Sequence, residues 1–293
     1  MKNILIIGAR GQLGSDLCKV IDAYGDNVTF TAMNREELDV TNFQQVRNIL
    51  ENSGADVVIN TSAFHQVDLC EVEWQPAFEV NAYAARNLAK VCAQLDIVLA
   101  HISTDYVFGG DKNRKTPYSE EDRPFPVSVY GASKLAGEYL VRDTWKKHFV
   151  IRGSGLYGVA GSGGKGGNFI ETMLRLGKEG KPLNVVADQI TTPTFTADLA
   201  AKIIELIQTE RYGLYHISNT DSCSWHEFAA TIFNRCGIDA NLSATTSEAY
   251  GAAAKRPLYS VFAHDGLHAA GLSSSRCWQE ALNDYLAQKG YLG

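Results

Sequence analysis

Short apolar runs alternate with amphipathic stretches through the first half of the chain. The runs at 3–8, 28–33, 56–60, 97–102 and 149–152 predict strands, and the stretches near 12–24, 42–53, 76–94 and 131–147 predict helices. Such alternation implies right-handed crossovers and a parallel sheet with helices on both faces. Asp56-Val-Val-Ile-Asn-Thr61 and Asp96-Ile-Val-Leu-Ala-His-Ile-Ser103 are apolar almost throughout, as strands buried on both faces should be. The pattern becomes irregular after about residue 153. There Thr196 is the expected N-cap of a helix from Ala197 to Ile207, and Tyr215–Ser218 are expected to return to the sheet.

The first run leads directly into a glycine turn, Gly8-Ala9-Arg10-Gly11-Gln12-Leu13-Gly14, and then into a helical pattern through Leu17, Cys18 and Ile21. A strand, a glycine turn and a helix start form an anion site. The turn bares backbone N–H groups, the helix end carries partial positive charge, and glycine leaves room for a pyrophosphate. The expected fold is therefore α/β, a Rossmann-type doubly wound parallel sheet with a smaller mixed α/β substrate domain. Residues 1–154, with 193–217 returning, are assigned to dinucleotide binding, and 155–192 with 218–293 to the substrate.

Composition narrows the function classes. Of 293 residues 45% are hydrophobic and 20% charged, and the formal net charge is −6, which argues against a general nucleic-acid binder. No apolar run reaches the ~20 residues that span a bilayer, and the sequence enters a strand without the basic and apolar regions of a signal peptide. Cys18, Cys70, Cys92, Cys223, Cys236 and Cys277 are scattered without a Cys-x-x-Cys pair, as expected of reduced cytoplasmic thiols and not of a zinc site. The histidines show no metal-ligand spacing. His65 and His101 are candidate site residues, although a locally satisfied imidazole is the plainer reading of each.

Two segments carry candidate chemistry. Ser103-Thr104-Asp105-Tyr106-Val107-Phe108 stands at the carboxyl end of a strand, where open parallel sheets bind ligands. Its hydroxyls either hydrogen-bond a substrate carbonyl or cap a turn. In Val129-Tyr130-Gly131-Ala132-Ser133-Lys134, Tyr130 and Lys134 share one helix face. A phenol has a pKa of ~10, and a neighbouring ammonium draws it toward neutrality, making a general acid suited to neutral pH. Tyr285 and Lys289 repeat that spacing without supporting context and are expected on a solvated helix face.

Together these motifs resemble the short-chain dehydrogenase/reductases, in their extended sugar-nucleotide branch, and within it the dTDP-4-dehydrorhamnose reductase family. The resemblance also includes Glu37-Leu-Asp-Val-Thr41, Val80-Asn81-Ala82, Asp188-Gln189, Pro193-Thr194 and Arg256-Pro257, and covers almost the whole chain. It implies an oxidoreductase passing hydride from reduced nicotinamide to the C4 keto carbon of a nucleotide-linked deoxysugar, dTDP-4-dehydrorhamnose to dTDP-rhamnose. Tyr130 would protonate the alkoxide, Lys134 would lower the Tyr130 pKa and hold the ribose, and Thr104 would hydrogen-bond the carbonyl oxygen, with Asp105 and Tyr106 beside the substrate. Gly8, Arg10, Gly11, Gln12, Leu13 and Gly14 would cradle the cofactor, Asp39 and Val40 its adenine, and Ala63 and Phe64 its path. For Asp39 a place beside a helix N-cap is an equal alternative.

The second strand ends in Asn34-Arg35 with no acid at the position that usually holds an NAD ribose, although Glu36 and Glu37 follow. Arg10 and Arg35 suit a 2′-phosphate, so NADPH is favoured, with NADH as a second donor. The match departs from the family at Arg152-Gly-Ser-Gly-Leu-Tyr-Gly158, where Gly155 replaces an aromatic wall, and at Phe64-His65-Gln66; both bear on sugar identity. The glycine-rich segment 158–167 reads either as a lid or as a connection. Some family members bridge a dimer through Mg²⁺; Asp16 lies near one such position without partners, so no metal is expected and a homodimer stays open. The same fold also carries nucleotide-sugar epimerases, dehydratases and a non-catalytic regulatory subunit of methionine adenosyltransferase. The lack of an Asp-Glu pair after Thr104 speaks against a dehydratase, and the presence of Thr104, Tyr130 and Lys134 favours an enzyme.

Overall fold

The computed structural model of the protein describes residues 2–23, 28–161 and 167–292. From the N-terminus, β1 (Lys2–Ile7) leads to α1 (Gln12–Ala23), β2 (Val28–Met33), α2 (Phe43–Ser53) and β3 (Val57–Asn60). Two short helices, α3 (Val67–Cys70) and α4 (Trp74–Phe78), and a π-helical turn at Glu79–Ala84 precede α5 (Ala85–Leu95). Next come β4 (Val98–Thr104), α6 (Val129–Thr144), β5 (His148–Gly153), β6 (Leu156–Tyr157), α7 (Phe169–Lys178), β7 (Leu183–Val186), β8 (Ile190–Thr191) and β9 (Thr194–Phe195). The chain ends with α8 (Thr196–Ile207), β10 (Gly213–His216), β11 (Cys223–Ser224), α9 (Trp225–Arg235), β12 (Leu242–Thr245), α10 (Ser247–Tyr250), α11 (Asp265–Ala269) and α12 (Trp278–Gln288).

The central sheet has six strands in the order β10-β5-β4-β3-β1-β2, all parallel. Its alternating side chains feed two apolar layers. Ile4, Ile6, Ile59, Ile102 and Ile151 pack under α1 and α8, while Leu5, Ile7, Val58, Leu99 and Val150 pack under α2 and α5. This is the doubly wound arrangement implied by the alternation of strands and helices. The order reverses between β1 and β3, so the cleft beyond their carboxyl ends is where such sheets bind ligands.

One polar assembly is buried within these layers. Arg152 on β5 donates from Nε and Nη2 to Glu138 on α6 at 2.9 and 2.7 Å, and from Nη1 to His216 Nε2 on β10 at 3.1 Å. His216 in turn donates from Nδ1 to the carbonyl of Tyr118. Each guanidinium nitrogen faces an acceptor, so the ion pair joins α6, β5 and the edge strand without an orphaned charge.

Several expectations need correction. Thr196 does not cap α8: it is the first helical residue, Phe195 precedes it as cap, and its hydroxyl donates instead to buried Asp16 at 2.6 Å. The returning strand is Gly213–His216 and stops short of Ile217 and Ser218. The stretch near 76–94 is helical from Trp74 but interrupted by the π-turn; Pro76 lies in its first turn, where a missing N–H costs no hydrogen bond. The Tyr285–Lys289 pair is not a solvated face. Tyr285 is fully buried in the α7–α9–α12 core, its hydroxyl donates to Glu171 at 2.5 Å, and Lys289 approaches the same carboxylate.

Candidate active site

The glycine turn after β1 is shaped by contact with the loop after β3. Gly8 has φ +86°, and a Cβ there would lie 2.5 Å from Thr61 Oγ1; a Cβ on Gly14 would lie 2.3 Å from the Gly8 carbonyl. Glycine at these points lets β1, the loop after β3 and the start of α1 pack closely. The α1 N-terminus is left facing the cleft as an anion site of the kind that takes a pyrophosphate. The turn opens into a cleft of about 1050 Å³. All of Gly8, Arg10, Gly11, Gln12, Leu13, Gly14, Asn34, Arg35, Asp39, Val40, Ala63, Phe64, Thr104, Asp105, Tyr106, Tyr130 and Lys134 line it.

At the β2 end, the exposed Arg10 guanidinium lies 3.3 Å from exposed Glu36, while Asn34 is bound by Glu37 through both its N–H and its side-chain amide. The acids after the strand are thus engaged by their neighbours. Asp39 accepts from the N–H and hydroxyl of Thr41. Burial pushes its carboxyl upward, but those bonds and the charge of Arg35 outweigh it and leave the pKa lowered. Asn42 caps α2, so Asp39, bound to the adjoining Thr41, does sit beside a helix N-cap as well as lining the cleft. Across the cleft, Asn81 accepts from Phe64 N at 2.9 Å and donates to Phe64 O at 3.0 Å, a two-point grip on that peptide, and also donates to Ser133 Oγ on α6. The π-turn therefore ties the Ala63–Phe64 wall to the helix that bears Tyr130 and Lys134.

At the reacting end, Ser103 and Thr104 are the last residues of β4 itself. The Ser103 hydroxyl is committed to Glu138 at 2.5 Å. Thr104 Oγ1 caps the following turn by accepting from Tyr106 N at 3.2 Å, and it donates to Asp105 Oδ1 at 3.2 Å. The Tyr106 and Tyr130 rings meet edge to face at 5.5 Å. Burial and then the Asp105 charge push the Tyr106 phenol up to about 12.

Tyr130 and Lys134 do share a face of α6, but the expected effect of the lysine on the phenol is not what the structure shows. Burial raises the Tyr130 pKa above the usual phenol value; the Thr104 hydrogen bond opposes this, and Asp105 and Tyr106 reinforce it. Lys134, 2% exposed, donates from Nζ to the carbonyl of Ile102 at 2.6 Å. Burial lowers its pKa to about 8 against the pull of Glu138. Sequence spacing records the shared face but not the desolvation, which here is the larger effect.

Sequence reading did not assign Ser62, Gln189, Thr191, Trp225, Arg256 or Ser260, all of which line the cleft. Gln189 and Arg256 lay in quoted motifs without a role; nothing in the local sequence marks Trp225. Arg256 grips Asp68 on α3 at 3.1 and 2.7 Å, bringing the C-terminal segment over the cleft. Gly155 is not a simple vacancy for an aromatic. Its φ is +55°, and a Cβ would lie 2.9 Å from the Thr192 carbonyl. The same cleft is lined by the aromatic Trp225, which opens α9 directly after the β11–β8 pair. His65 lines the cleft; His101 lies buried on β4, accepts from Asn60 at 3.1 Å, and is held neutral by burial and by Lys134. Among the described residues no group of three His, Cys, Asp or Glu side chains is placed to hold a metal, and Asp16 is engaged by Lys19 and Thr196. Residues 162–166 of the glycine-rich segment lie outside the described residues.

The model of the RmlD substrate binding domain matches residues 1–290. The spore coat polysaccharide biosynthesis protein SpsK of Bacillus subtilis is 39% identical, over 99% of this chain and 98% of its own. The dTDP-4-dehydrorhamnose reductase of Mycolicibacterium smegmatis is 38% identical, over 98% of this chain and 85% of its own. Among solved structures, the Bacillus anthracis dTDP-4-dehydrorhamnose reductase in complex with NADP superposes with a TM-score of 0.91 at 41% identity, covering 98% of this chain and all of that one.

Proposed function

Because the chain belongs to the RmlD substrate binding domain family, we propose that it is an NADPH-dependent reductase of the C4 keto group of a nucleotide-linked deoxysugar, with dTDP-4-dehydrorhamnose as substrate. The observation that carries this reading is one cleft lined by both the Gly8–Gly14 turn at the α1 N-terminus and the Thr104, Tyr130 and Lys134 side chains. The B. anthracis relative's NADP complex supports the cofactor.

When bound, the nicotinamide supplies the hydride; the protein supplies position and a proton. Gly8, Gly11 and Gly14 receive the pyrophosphate beside the α1 N-terminus. Arg10 and Arg35, both exposed at the β2 end, meet the 2′-phosphate, and NADH lacks that anchor. Lys134 holds the ribose hydroxyls. Tyr130 stays protonated across neutral pH because burial raises its pKa, and it gives that proton to the oxygen that develops negative charge. Tyr106 and Arg256 line the same cleft, where Tyr106 would border the sugar and the Arg256 cation would meet the nucleotide phosphates.

The reaction belongs in the cytoplasm, a reading supported by cysteines that form no disulfide among the described residues. A homodimer is the proposed assembly, supported by the exposed aromatics Tyr83 and Tyr139 on the adjoining π-turn and α6. Sedimentation of the purified protein tests it, and a monomer at micromolar concentration overturns it. The functional reading is tested by following NADPH absorbance with dTDP-4-dehydrorhamnose. Turnover yielding dTDP-rhamnose supports it; cofactor binding without turnover moves the substrate to another nucleotide sugar.

A further inference from the structure

Gln12 and Asp16 stand one turn apart on α1, so their side chains leave the helix from one face. Gln12 Oε1 accepts from the N–H of Gly158 at 2.7 Å. Asp16, 2% exposed, accepts from the Thr196 hydroxyl at 2.6 Å through Oδ2 and from Lys19 Nζ at 3.0 Å through Oδ1. Gly158 and Thr196 follow directly on the paired residues Tyr157 and Phe195, so α1 meets the ends of β6 and β9 together. Gly158 gives this contact no slack. A Cβ there would lie 2.1 Å from Thr196 Oγ1, 3.0 Å from Gln12 Cβ and 3.3 Å from Asp16 Oδ2. Its carbonyl accepts at 3.1 Å from Nδ2 of Asn168, the N-cap of α7. Gly158 is therefore a fixed post, held from α7 through its carbonyl and from α1 through its N–H.

The same helix begins at the glycine turn, and its first-turn N–H groups are the donors an anion would use. Gln12, Leu13 and Thr196 line the cleft, whereas Asp16 lies behind that wall. We infer that Asp16 is a positioning residue for the cofactor: with Gln12 it fastens α1 to Thr196 and Gly158 and so fixes where the helix N-terminus meets the pyrophosphate. This rests on the NADPH-dependent reading above. It also gives Gln12, expected to cradle the cofactor, a second task, since its side-chain carbonyl is spent on Gly158. Hydrogen bonds weaken steeply once donor and acceptor leave line, so a helix end free to shift loses affinity without losing its partial charge. Asp16 also places a carboxylate one turn from an anion site. The Lys19 ammonium offsets that charge, so loss of the grip, not relief of repulsion, is the larger effect of removing Asp16.

The test compares NADPH affinity, by fluorescence titration of the whole chain, across three variants. Thr196→Val keeps the shape and the Asp16 charge but removes the hydroxyl. Its Kd for NADPH is expected to rise about 10-fold, the worth of a hydrogen bond to a charged group. Thr196→Ser keeps the hydroxyl and is expected to bind as the unaltered protein does. Asp16→Ala, which alters no residue of the cleft lining, is expected to weaken NADPH to the same degree as Thr196→Val, with KM for the nucleotide sugar unchanged. Affinity unmoved in Thr196→Val, or equally weakened in Thr196→Ser, overturns the inference. So does tight binding by Asp16→Ala beside weak binding by Thr196→Val, which makes Thr196 a direct cofactor contact. Should Asp16→Ala fail to fold, amide exchange at Gly158 in the ligand-free Thr196→Val protein takes its place; faster exchange supports the grip and an unmoved rate refutes it. None of these readings needs turnover. An unaltered protein that binds NADPH without reducing dTDP-4-dehydrorhamnose strikes the reductase reading alone, and one that binds neither NADPH nor NADH strikes both.

Discussion

Lys134 Nζ donates to the carbonyl of Ile102 at 2.6 Å, which anchors the catalytic helix to the strand that carries Thr104. That single bond leaves two donors of the ammonium for a ribose. With its pKa drawn down to about 8 by burial, Lys134 loses its charge in mildly alkaline solution. KM for NADPH is therefore expected to rise from about pH 8 upward, while kcat at saturating cofactor stays level because Tyr130 remains protonated. Steady-state kinetics between pH 6 and about 10 check this; a kcat that falls near neutrality contradicts the raised Tyr130 pKa.

Cofactor choice depends on two exposed cations. Replacing both Arg10 and Arg35 by alanine removes the charges available to a 2′-phosphate and should shrink the NADPH-over-NADH preference in kcat/KM by about 10-fold or more, the worth of one or more charge-assisted bonds. Glu36→Ala frees Arg10 from its exposed partner and should shift the preference slightly toward NADPH. Parallel titrations with the two cofactors separate these outcomes.

Much of this was legible in the sequence because strong local signals agreed. The glycine turn after a buried strand, and the Tyr130–Lys134 spacing on a helix, each require only chain-local geometry. What was hidden depends on neighbours far along the chain. Thr196 looks like a cap until Asp16, 180 residues away, takes its hydroxyl. Lys289 and Tyr285 look solvated until Glu171 arrives from α7. Gly155 looks like a missing wall until the Thr192 carbonyl is found against it. The burial that sets the Tyr130 and Lys134 proton affinities is likewise assembled from several segments and has no spacing to read.

Gly155 offers a direct check on that last point. A side chain there meets both a positive φ and a backbone oxygen, so Gly155→Ala is expected to destabilise the protein by roughly 1–3 kcal/mol. Thermal melts with and without NADPH measure it. An alanine variant as stable as the unaltered protein contradicts the close approach of Gly155 to the Thr192 carbonyl ahead of the β6–β9 pair.

The Glu138–Arg152 pair is 1% exposed on both sides and satisfied by Ser103 and His216. Glu138→Ala leaves Arg152 charged, buried and unpaired, a loss of about 3–5 kcal/mol, read as a reduced midpoint in urea. A loss below about 1 kcal/mol, the range of an exposed pair, contradicts the burial described for it.

The central claim is that Tyr130 gives the proton that completes carbonyl reduction, and Tyr130→Phe tests it most directly. The variant removes one hydroxyl and keeps the ring that packs on Tyr106. With NADPH and dTDP-4-dehydrorhamnose, kcat is predicted to fall by about 10²–10⁴-fold while NADPH binding, measured by fluorescence titration, stays at the level of the unaltered enzyme. Retention of most turnover by the phenylalanine variant would contradict the account.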